Sequence, residues 1–198
     1  MNTVFFDIDT QLDFVNPSGA LYVPGAERVL PAVGALNRYA AAQGIPVIST
    51  TDAHAEDDPE FAEWPPHCVA GTLGQHKSES TLLERRAAIP NREGFPEIEG
   101  APQLILEKQT TDVFETLTVA RLLDRLAADH AVVYGVVTEI CVLFAARGLL
   151  RSGRKVTVVT DAIAALDAAN SRRALEELRQ AGCRLFTRDN LEIAAPVA

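Results

Sequence analysis

One stretch constrains the fold of this chain more than any other: residues 131–150, with the sequence AVVYGVVTEICVLFAARGLL. It starts with a continuous apolar run and a glycine, the pattern of a strand that is covered on both faces in a parallel sheet. Thr138 can then cap a helix, with Glu139 in the first turn, where a negative charge suits the helix dipole. The sequence therefore predicts a buried strand, a tight turn and a helix that opens near Cys141.

The predicted turn places Cys141 just beyond the carboxyl end of a strand and near the positive end of a helix. A thiol in that position is expected to have a lowered pKa, and the thiolate is the form that attacks a carbonyl carbon. A lone cysteine is more often a small apolar residue that packs against the sheet. Cys141 is therefore a candidate nucleophile only if other reactive groups lie beside it.

Strands and helices alternate along the rest of the chain. Apolar runs predict strands over residues 3–8, 46–50, 103–106, 131–134, 155–159 and 184–187. Helical spacing predicts helices over residues 26–44, 80–86, 114–127 and 168–181. Such alternation implies βαβ crossovers, and hence a three-layer α/β/α sandwich around a central, mainly parallel sheet. No linker divides the 198 residues, so we expect a single domain over residues 1–198.

Composition narrows the class of partner. A formal net charge of −9 leaves no basic patch for a phosphate backbone, so we expect a small-molecule substrate and no nucleic acid. The chain begins without a basic leader and has no apolar run of membrane-spanning length, which predicts no export and no membrane partner. Three cysteines without metal-finger spacing fit a reducing cytoplasm. We also expect a homo-oligomer.

Reactive side chains follow four of the predicted strands. In an open α/β sheet the ligand site lies beyond the carboxyl ends of the strands, so these groups should meet there. An acid can take a thiol proton, and a lysine can stabilise the thiolate and the charge that develops in the reaction. Taken separately, the acid could cap a turn and the lysine could be solvated. The four groups are Asp9, Asp52 with His54, Lys108 and Cys141.

A long polar stretch, residues 51–77, contains metal-binding side chains. Asp52 and His54 are two residues apart on extended chain, so their side chains project to the same side, and His67 can complete a metal site from the loop. The two remaining histidines, His76 and His130, are predicted to lie at the surface. Cys68 and Cys183 lie in apolar settings and are predicted to be buried, inert thiols.

Several of these residues belong to motifs that occur in a fixed order across the chain: DTQLDF (9–14), TDAH (51–54), WPPHCVAGT (64–72), Lys108 and GVVTEICV (135–142). The combination resembles the isochorismatase-like cysteine hydrolases and, within them, the nicotinamidases. The resemblance implies a catalytic triad of Asp9, Lys108 and Cys141. It also implies a cis peptide between Val136 and Val137, with the backbone amides of Val137 and Cys141 as the oxyanion hole.

The same resemblance implies a divalent metal ion, zinc, iron or manganese, on Asp52, His54 and His67. It makes Phe14 and Trp64 the aromatic residues that flank the substrate ring. The nicotinamidases usually carry a further histidine several residues after the Asp-x-His pair, whereas this chain has acids there. Either an acid or water replaces that ligand, or the metal is bound differently. The acids are Glu56, Asp57 and Asp58.

These expectations predict a metal-containing cysteine amidohydrolase that cleaves a small carboxamide through a thioester, with nicotinamide, giving nicotinate and ammonia, as the leading substrate. An isochorismatase-type or other small-amide hydrolase of the same family is the first alternative. A second is a phosphatase of the haloacid-dehalogenase type, with Asp7 as nucleophile and Asp9 as acid/base, which leaves Cys141 and His54 without a role. A third is a binding domain that has lost its activity.

Overall fold

The computed structural model describes residues 2–92, 94, 98, 100–116 and 118–190. A seven-stranded sheet lies at the centre, and every pair of neighbouring strands is parallel. Its strands are β1 (Thr3–Ile8), β2 (Val47–Asp52), β3 (Arg86–Ile89), β4 (Gln103–Lys108), β5 (His130–Val136), β6 (Lys155–Ala164) and β7 (Arg184–Phe186). They lie in the order β3-β4-β2-β1-β5-β6-β7, so β1 is the central strand.

Helices cover both faces of this sheet, and the predicted three-layer α/β fold is confirmed. The helices are α1 (Leu12–Val15), α2 (Leu30–Ala42), α3 (Val119–Arg125), α4 (Leu143–Arg151) and α5 (Ala168–Gln180). One apolar core joins α2 to the face of the sheet that carries Phe5 and Tyr134. A larger core joins α3, α4 and α5 to the opposite face, which carries Phe6 and Val133. Among the described residues, no helix is long and apolar enough to cross a membrane.

Three predicted helices are wrong in part. The predicted helix over 26–44 is divided into a 3-10 helix, Ala26–Arg28, and α2. Residues 80–86 instead contain a short 3-10 helix, Glu79–Thr81, and the start of the unpredicted edge strand β3. The predicted helix over 114–127 is divided into a 3-10 helix, Val113–Glu115, and α3. The Asp112 carboxylate caps the start of this 3-10 helix by accepting from the backbone N–H of Phe114. At its end the Thr116 hydroxyl donates to the backbone oxygen of Val113, a bond that competes with helical ones and ends the turn.

The turn after β5 also differs from its prediction. Residues Thr138–Val142 form one turn of π-helix before α4 begins. Thr138 does not cap it, because its hydroxyl donates to the backbone oxygen of Ala164. Just before this turn, Gly135 pairs with Ile8 of β1 at a φ of 115°. A Cβ atom there would lie 2.1 Å from the Ile8 oxygen, so only glycine lets β5 approach β1 this closely beneath the site.

Candidate active site

Three of the predicted site residues meet at the carboxyl ends of β1, β4 and β5. The Lys108 Nζ atom lies 3.0 Å from Asp9 Oδ2 and 3.9 Å from Cys141 Sγ. It also donates a short hydrogen bond to Asp52 Oδ1. Lys108 is paired with Asp52 in the β2–β4 register, which explains why the two side chains adjoin. A single ammonium group therefore contacts two carboxylates and one thiol in a cluster that water hardly reaches.

Burial dominates the protonation of this cluster. It raises the pKa of the Cys141 thiol well above its usual range; Lys108 opposes the shift, and the carboxylates of Asp9 and Asp52 add to it. The lowered thiol pKa expected from the sequence is therefore wrong, because desolvation outweighs the lysine. Burial alone would lower the pKa of Lys108, but Asp52 and Asp9 keep it well above its usual range. The resting site thus holds a neutral thiol beside a charged ammonium group.

A small, mainly apolar pocket opens above the thiol. Its walls include Val136, Val137 and Ile140 from the β5 turn, and the two predicted aromatic residues, Phe14 and Trp64, both line it. The peptide bond between Val136 and Val137 is cis. Beyond these, the lining consists of Leu21, Val23, Asp52, Glu60, His67, Thr111, Cys141 and Leu166. A larger open groove of about 550 Å³, beside Glu79 and Arg86, contains none of the predicted site residues.

The predicted metal-binding residues also lie together. Asp52, His54 and His67 are buried, and each offers a ligand atom within 4.8 Å of the other two. The pairing of His54 with Val69 as an isolated parallel bridge brings the 67–69 segment beside the end of β2. Phe61 packs against both imidazole rings, at centroid distances of 5.4 and 5.7 Å, and helps to fix their planes. This group adjoins the thiol cluster because Asp52 belongs to both.

Each of the two imidazoles uses its Nδ1 atom in a hydrogen bond. The Nε2 atom of each ring therefore keeps a lone pair for the predicted metal site. His67 Nδ1 lies 2.8 Å from the Pro65 carbonyl oxygen, which can only accept, so the proton is on Nδ1. His54 Nδ1 lies 3.0 Å from Asp58 Oδ2. Burial raises the pKa of Asp58, but the Glu60 backbone N–H and His54 outweigh it, so the net shift is downward and Asp58 is ionised. His54 Nε2 is buried without a hydrogen-bond partner, as a metal ligand would be before its metal binds.

An acid that the sequence did not suggest lines the pocket beside the two imidazoles. Three acids were considered as replacements for the missing histidine. Of these, Glu56 and Asp57 are exposed, and Asp58 forms a hydrogen bond with the Nδ1 atom of His54. Glu60 instead lines the pocket and places Oε1 3.9 Å from His67 Nε2. The 3-10 helix Pro59–Ala62, capped by the Asp58 side chain, carries Glu60 to this position.

The other predicted residues lie outside the site. Asp7, the nucleophile of the phosphatase alternative, is fully buried against α2 and receives hydrogen bonds from Thr10, Asn37 and Ser49, so it cannot meet a phosphate ester. His76 is exposed as predicted. The surface position predicted for His130 is wrong, because it begins β5 and is buried beside the Thr157 hydroxyl. Cys68 and Cys183 are buried free thiols, as predicted.

With this geometry in place, comparison with known proteins decides the family. The sequence profile described as the isochorismatase domain matches residues 3–190. The chain belongs to the isochorismatase family. This assignment removes the basis for the phosphatase alternative, and it agrees with the sheet order and with the position of the site at the carboxyl ends of the strands.

Among members of the isochorismatase family, nicotinamidases are similar over nearly the whole chain. The nicotinamidase/pyrazinamidase of Mycobacterium tuberculosis is 28% identical over 194 residues, which cover 90% of this chain and 95% of that protein. The nicotinamidase of Escherichia coli is 25% identical over 203 residues, covering 91% and 92%. The structure of the Pyrococcus horikoshii pyrazinamidase in complex with zinc superposes with a TM-score of 0.80 at 27% identity, covering 94% of this chain and 99% of that one.

Sequence reasoning did not give a role to several residues that hold this isochorismatase-family site together. Glu60 is one of them. Asp13 is another, since its carboxylate accepts from the backbone N–H of Cys68 at 2.7 Å and of Ala20 at 2.9 Å. Gln11 is the third. The DTQLDF motif contained Gln11 and Asp13, so their presence in a motif was the available signal. Glu60 carried no such signal.

Proposed function

We propose that this isochorismatase-family protein is a metal-containing cysteine amidohydrolase that converts nicotinamide to nicotinate and ammonia through a thioester. One observation carries the proposal: a buried cluster of Asp9, Lys108 and Cys141 shares the Asp52 carboxylate with a buried pair of imidazoles. A thiol, a base and a cation are the groups that acyl transfer requires. The nicotinamidase and pyrazinamidase relatives support the choice of an amide substrate.

In the proposed mechanism Asp9 is the general base. Because burial keeps the Cys141 thiol neutral at rest, the reaction needs a base within reach, and Asp9 is the carboxylate that Lys108 holds beside the thiol. The thiol proton passes to Asp9 as the sulfur attacks the amide carbon, and the backbone amides of Val137 and Cys141 stabilise the oxyanion. As the tetrahedral intermediate collapses, the C–N bond breaks and Asp9 returns the proton to the leaving ammonia.

The second half of the reaction uses the same groups. A water molecule loses a proton to Asp9 and attacks the thioester carbon, and the C–S bond breaks to release the carboxylic acid and the thiolate. The thiolate recovers its proton from Asp9. The Lys108 ammonium, 3.9 Å from the sulfur, stabilises the negative charge that forms on sulfur in both halves.

The donor set of Asp52, His54 and His67 fits a divalent metal ion. Two imidazole nitrogens with free lone pairs and one carboxylate are ligands that zinc, iron and manganese accept, and the partnerless Nε2 atom of His54 supports this fit. We assign the fourth protein ligand to Glu60, whose Oε1 atom adjoins His67. When bound, the metal would supply a Lewis acid to bind and orient a ring nitrogen of the substrate.

The pocket favours a neutral, flat substrate. Aromatic and aliphatic side chains form most of its described lining, with Phe14 and Trp64 placed to flank a ring. No arginine or lysine belongs to this lining. A substrate with its own carboxylate, such as maleamate or isochorismate, would lie here without an arginine or lysine side chain to pair with it. These features favour nicotinamide or pyrazinamide over the acidic substrates of the first alternative.

A cytoplasmic location is also part of the proposal. Among the described residues all three cysteines are free, which supports a reducing cytoplasm. The single domain over residues 1–198 and the homo-oligomer remain predictions.

Product analysis across a substrate panel tests the proposed function. The zinc-loaded protein would be assayed for ammonia release from nicotinamide, pyrazinamide and maleamate, and separately for the non-amide product of isochorismate. We expect turnover of the two ring amides and little of the two acids. Preference for maleamate or isochorismate would replace nicotinamidase activity with the first alternative.

A further inference from the structure

At the ends of β1 and β2, a side chain from each strand hydrogen-bonds to the acidic site residue of the other strand. Thr50 lies on β2, and its hydroxyl donates to Asp9 Oδ1 at 2.6 Å and accepts from the Asp9 backbone N–H at 3.2 Å. Both residues are fully buried. Asp9 has a φ of 45°, in the left-handed region that a non-glycine residue rarely adopts. The Thr50 hydroxyl thus binds both the carboxylate and the backbone of a residue in an unfavourable conformation.

Gln11 makes the corresponding contacts from the end of β1 to Asp52 on β2. It follows β1, and its side-chain oxygen accepts from the Asp52 backbone N–H at 2.6 Å. Its side-chain nitrogen donates to the backbone oxygens of Asp52 and Gln75, each at 2.8 Å. Gln11 is also fully buried. The hydrogen-bonding groups of this amide are therefore engaged in fixing the backbone of Asp52 and tying it to the 74–78 segment.

We propose that Thr50 and Gln11 form a cross-strand clamp in which Thr50 is the positioning residue for Asp9 and Gln11 is the positioning residue for Asp52. The inference rests on the proposed function, since it gives Asp9 to the thiol and Asp52 to the metal. Lys108 contacts both carboxylates, but only Asp9 exchanges a proton with Cys141, so displacing Asp9 acts on proton transfer and displacing Asp52 acts on metal binding. The clamp therefore sets proton transfer and metal binding through two separate side chains.

Two buried residues provide matched controls, because they make similar bonds away from the site. Ser49 precedes Thr50 on β2, and its hydroxyl donates to Asp7 at 3.0 Å. Gln103 is a fully buried amide that, like Gln11, makes three hydrogen bonds: it donates to Ser49 and Thr81 and accepts from Leu83. Neither control contacts Asp9, Asp52, Lys108 or Cys141 through these bonds. If loss of a buried hydrogen bond alone caused the effects, Ser49→Ala and Gln103→Met would show them as well.

The first arm of the test compares Thr50→Val with Ser49→Ala. Valine keeps the shape of threonine without the hydroxyl, so we expect kcat and the alkylation rate of Cys141 to fall by about tenfold or more. The zinc dissociation constant should stay within about twofold of the parent, because Thr50 does not hold Asp52. Thr50→Ser restores the hydroxyl and should restore both rates. Ser49→Ala should leave kcat, alkylation and zinc binding near the parent values.

The second arm compares Gln11→Met with Gln103→Met. We expect Gln11→Met to weaken zinc binding about 10–100-fold, the usual effect of removing a residue that supports a metal ligand. Alkylation of Cys141 in the metal-free protein should remain near the parent rate, and Gln103→Met should bind zinc normally. If Gln11→Met does not fold, Gln11→Glu keeps the shape but can donate to at most one of the two backbone oxygens, and a loss of zinc affinity is again expected.

The two readouts separate this inference from the proposed function, because zinc binding and alkylation need no substrate. Suppose that Thr50→Val lowers only the alkylation rate, that Gln11→Met lowers only the zinc affinity, and that the parent protein does not hydrolyse nicotinamide. That result would support the clamp and contradict the proposed activity. The clamp is overturned if Thr50→Val and Gln11→Met change both readouts equally, if they change neither, or if the control variants reproduce their losses.

Discussion

The Nζ atom of Lys108 lies 3.9 Å from the Sγ atom of Cys141, although 33 residues separate them in the chain. The contact exists because β4 and β5 end at the same edge of the sheet, on either side of β2 and β1. Both side chains are buried there, and Asp9 completes the group. The fold therefore assembles a thiol, a base and a cation from three strand ends, and each prediction below changes one part of that assembly.

Cys141 should be the first of the three thiols to react with an alkylating agent. It lines the pocket, whereas Cys68 is fully buried and Cys183 packs in the larger core. Burial raises the pKa of all three thiols, that of Cys183 to about 11, but among them Cys141 has the Lys108 ammonium 3.9 Å from its sulfur and the Asp9 carboxylate in the same cluster. Timed iodoacetamide labelling with peptide mass spectrometry measures the order. Faster labelling of Cys68 or Cys183, with activity lost in step, would remove Cys141 as the nucleophile.

Replacing Lys108 should cost both activity and stability. Lys108→Met keeps the aliphatic stem but leaves two buried carboxylates without their cation, so we expect kcat to fall by about two to three orders of magnitude and the free energy of unfolding by about 3–5 kcal/mol. Lys108→Arg should not restore turnover, because a planar guanidinium has a different reach. Glu107→Gln, one residue earlier and outside the cluster, is the control. An arginine variant with near-parent kcat would show that only the charge matters.

Removal of metal should separate substrate turnover from thiol chemistry. Dialysis against a chelator should reduce amide turnover at least about tenfold, because the substrate loses an orienting contact. The alkylation rate of Cys141 should change little, and added zinc should restore turnover. His54→Ala should behave like the metal-free protein. If the purified protein, after zinc supplementation, holds almost no metal and His54→Ala turns over normally, the metal assignment fails.

Glu60 should bind the metal, whereas Glu56 should not. Glu60→Gln keeps the size of the side chain but removes its charge, so zinc affinity should fall about tenfold or more. Glu56→Gln is the matched control, since Glu56 is exposed in the same segment. Asp58→Asn should have an intermediate effect, because Asp58 orients His54 without facing the metal position. If the Glu60→Gln and Glu56→Gln variants bind zinc with equal affinity, Glu60 is not a ligand and water is the fourth ligand.

The sequence predicted the strands and the strand-end residues because both depend on short local patterns. Asp9, Asp52, Lys108 and Cys141 each follow an apolar run, and parallel strands bring their carboxyl ends to one edge. The edge strand β3 is short and half exposed, so its pattern resembled a helix. The prediction for His130 was wrong because its burial depends on Thr3 and Thr157. These residues lie on two other strands, β1 and β6, which only the assembled sheet brings beside His130.

The supporting residues of the site could not be predicted in the same way. Glu60 reaches His67 through the path of an irregular loop, which no periodic pattern describes. The shifted pKa of Cys141 follows from burial within the assembled cluster, and the sequence offered only the local helix. Thr50 and Gln11 act across two strands, and their partners become visible only once the register of those strands is known.

Ammonia release from nicotinamide by the zinc-loaded parent and by Cys141→Ala tests the central claim most directly. The account predicts steady release by the parent and a loss of at least about a thousandfold in the variant, because no other described thiol faces the pocket. Cys183→Ala, prepared in parallel, should release ammonia at close to the parent rate. Release by Cys141→Ala at more than about a tenth of the parent rate would contradict a thioester mechanism at this site.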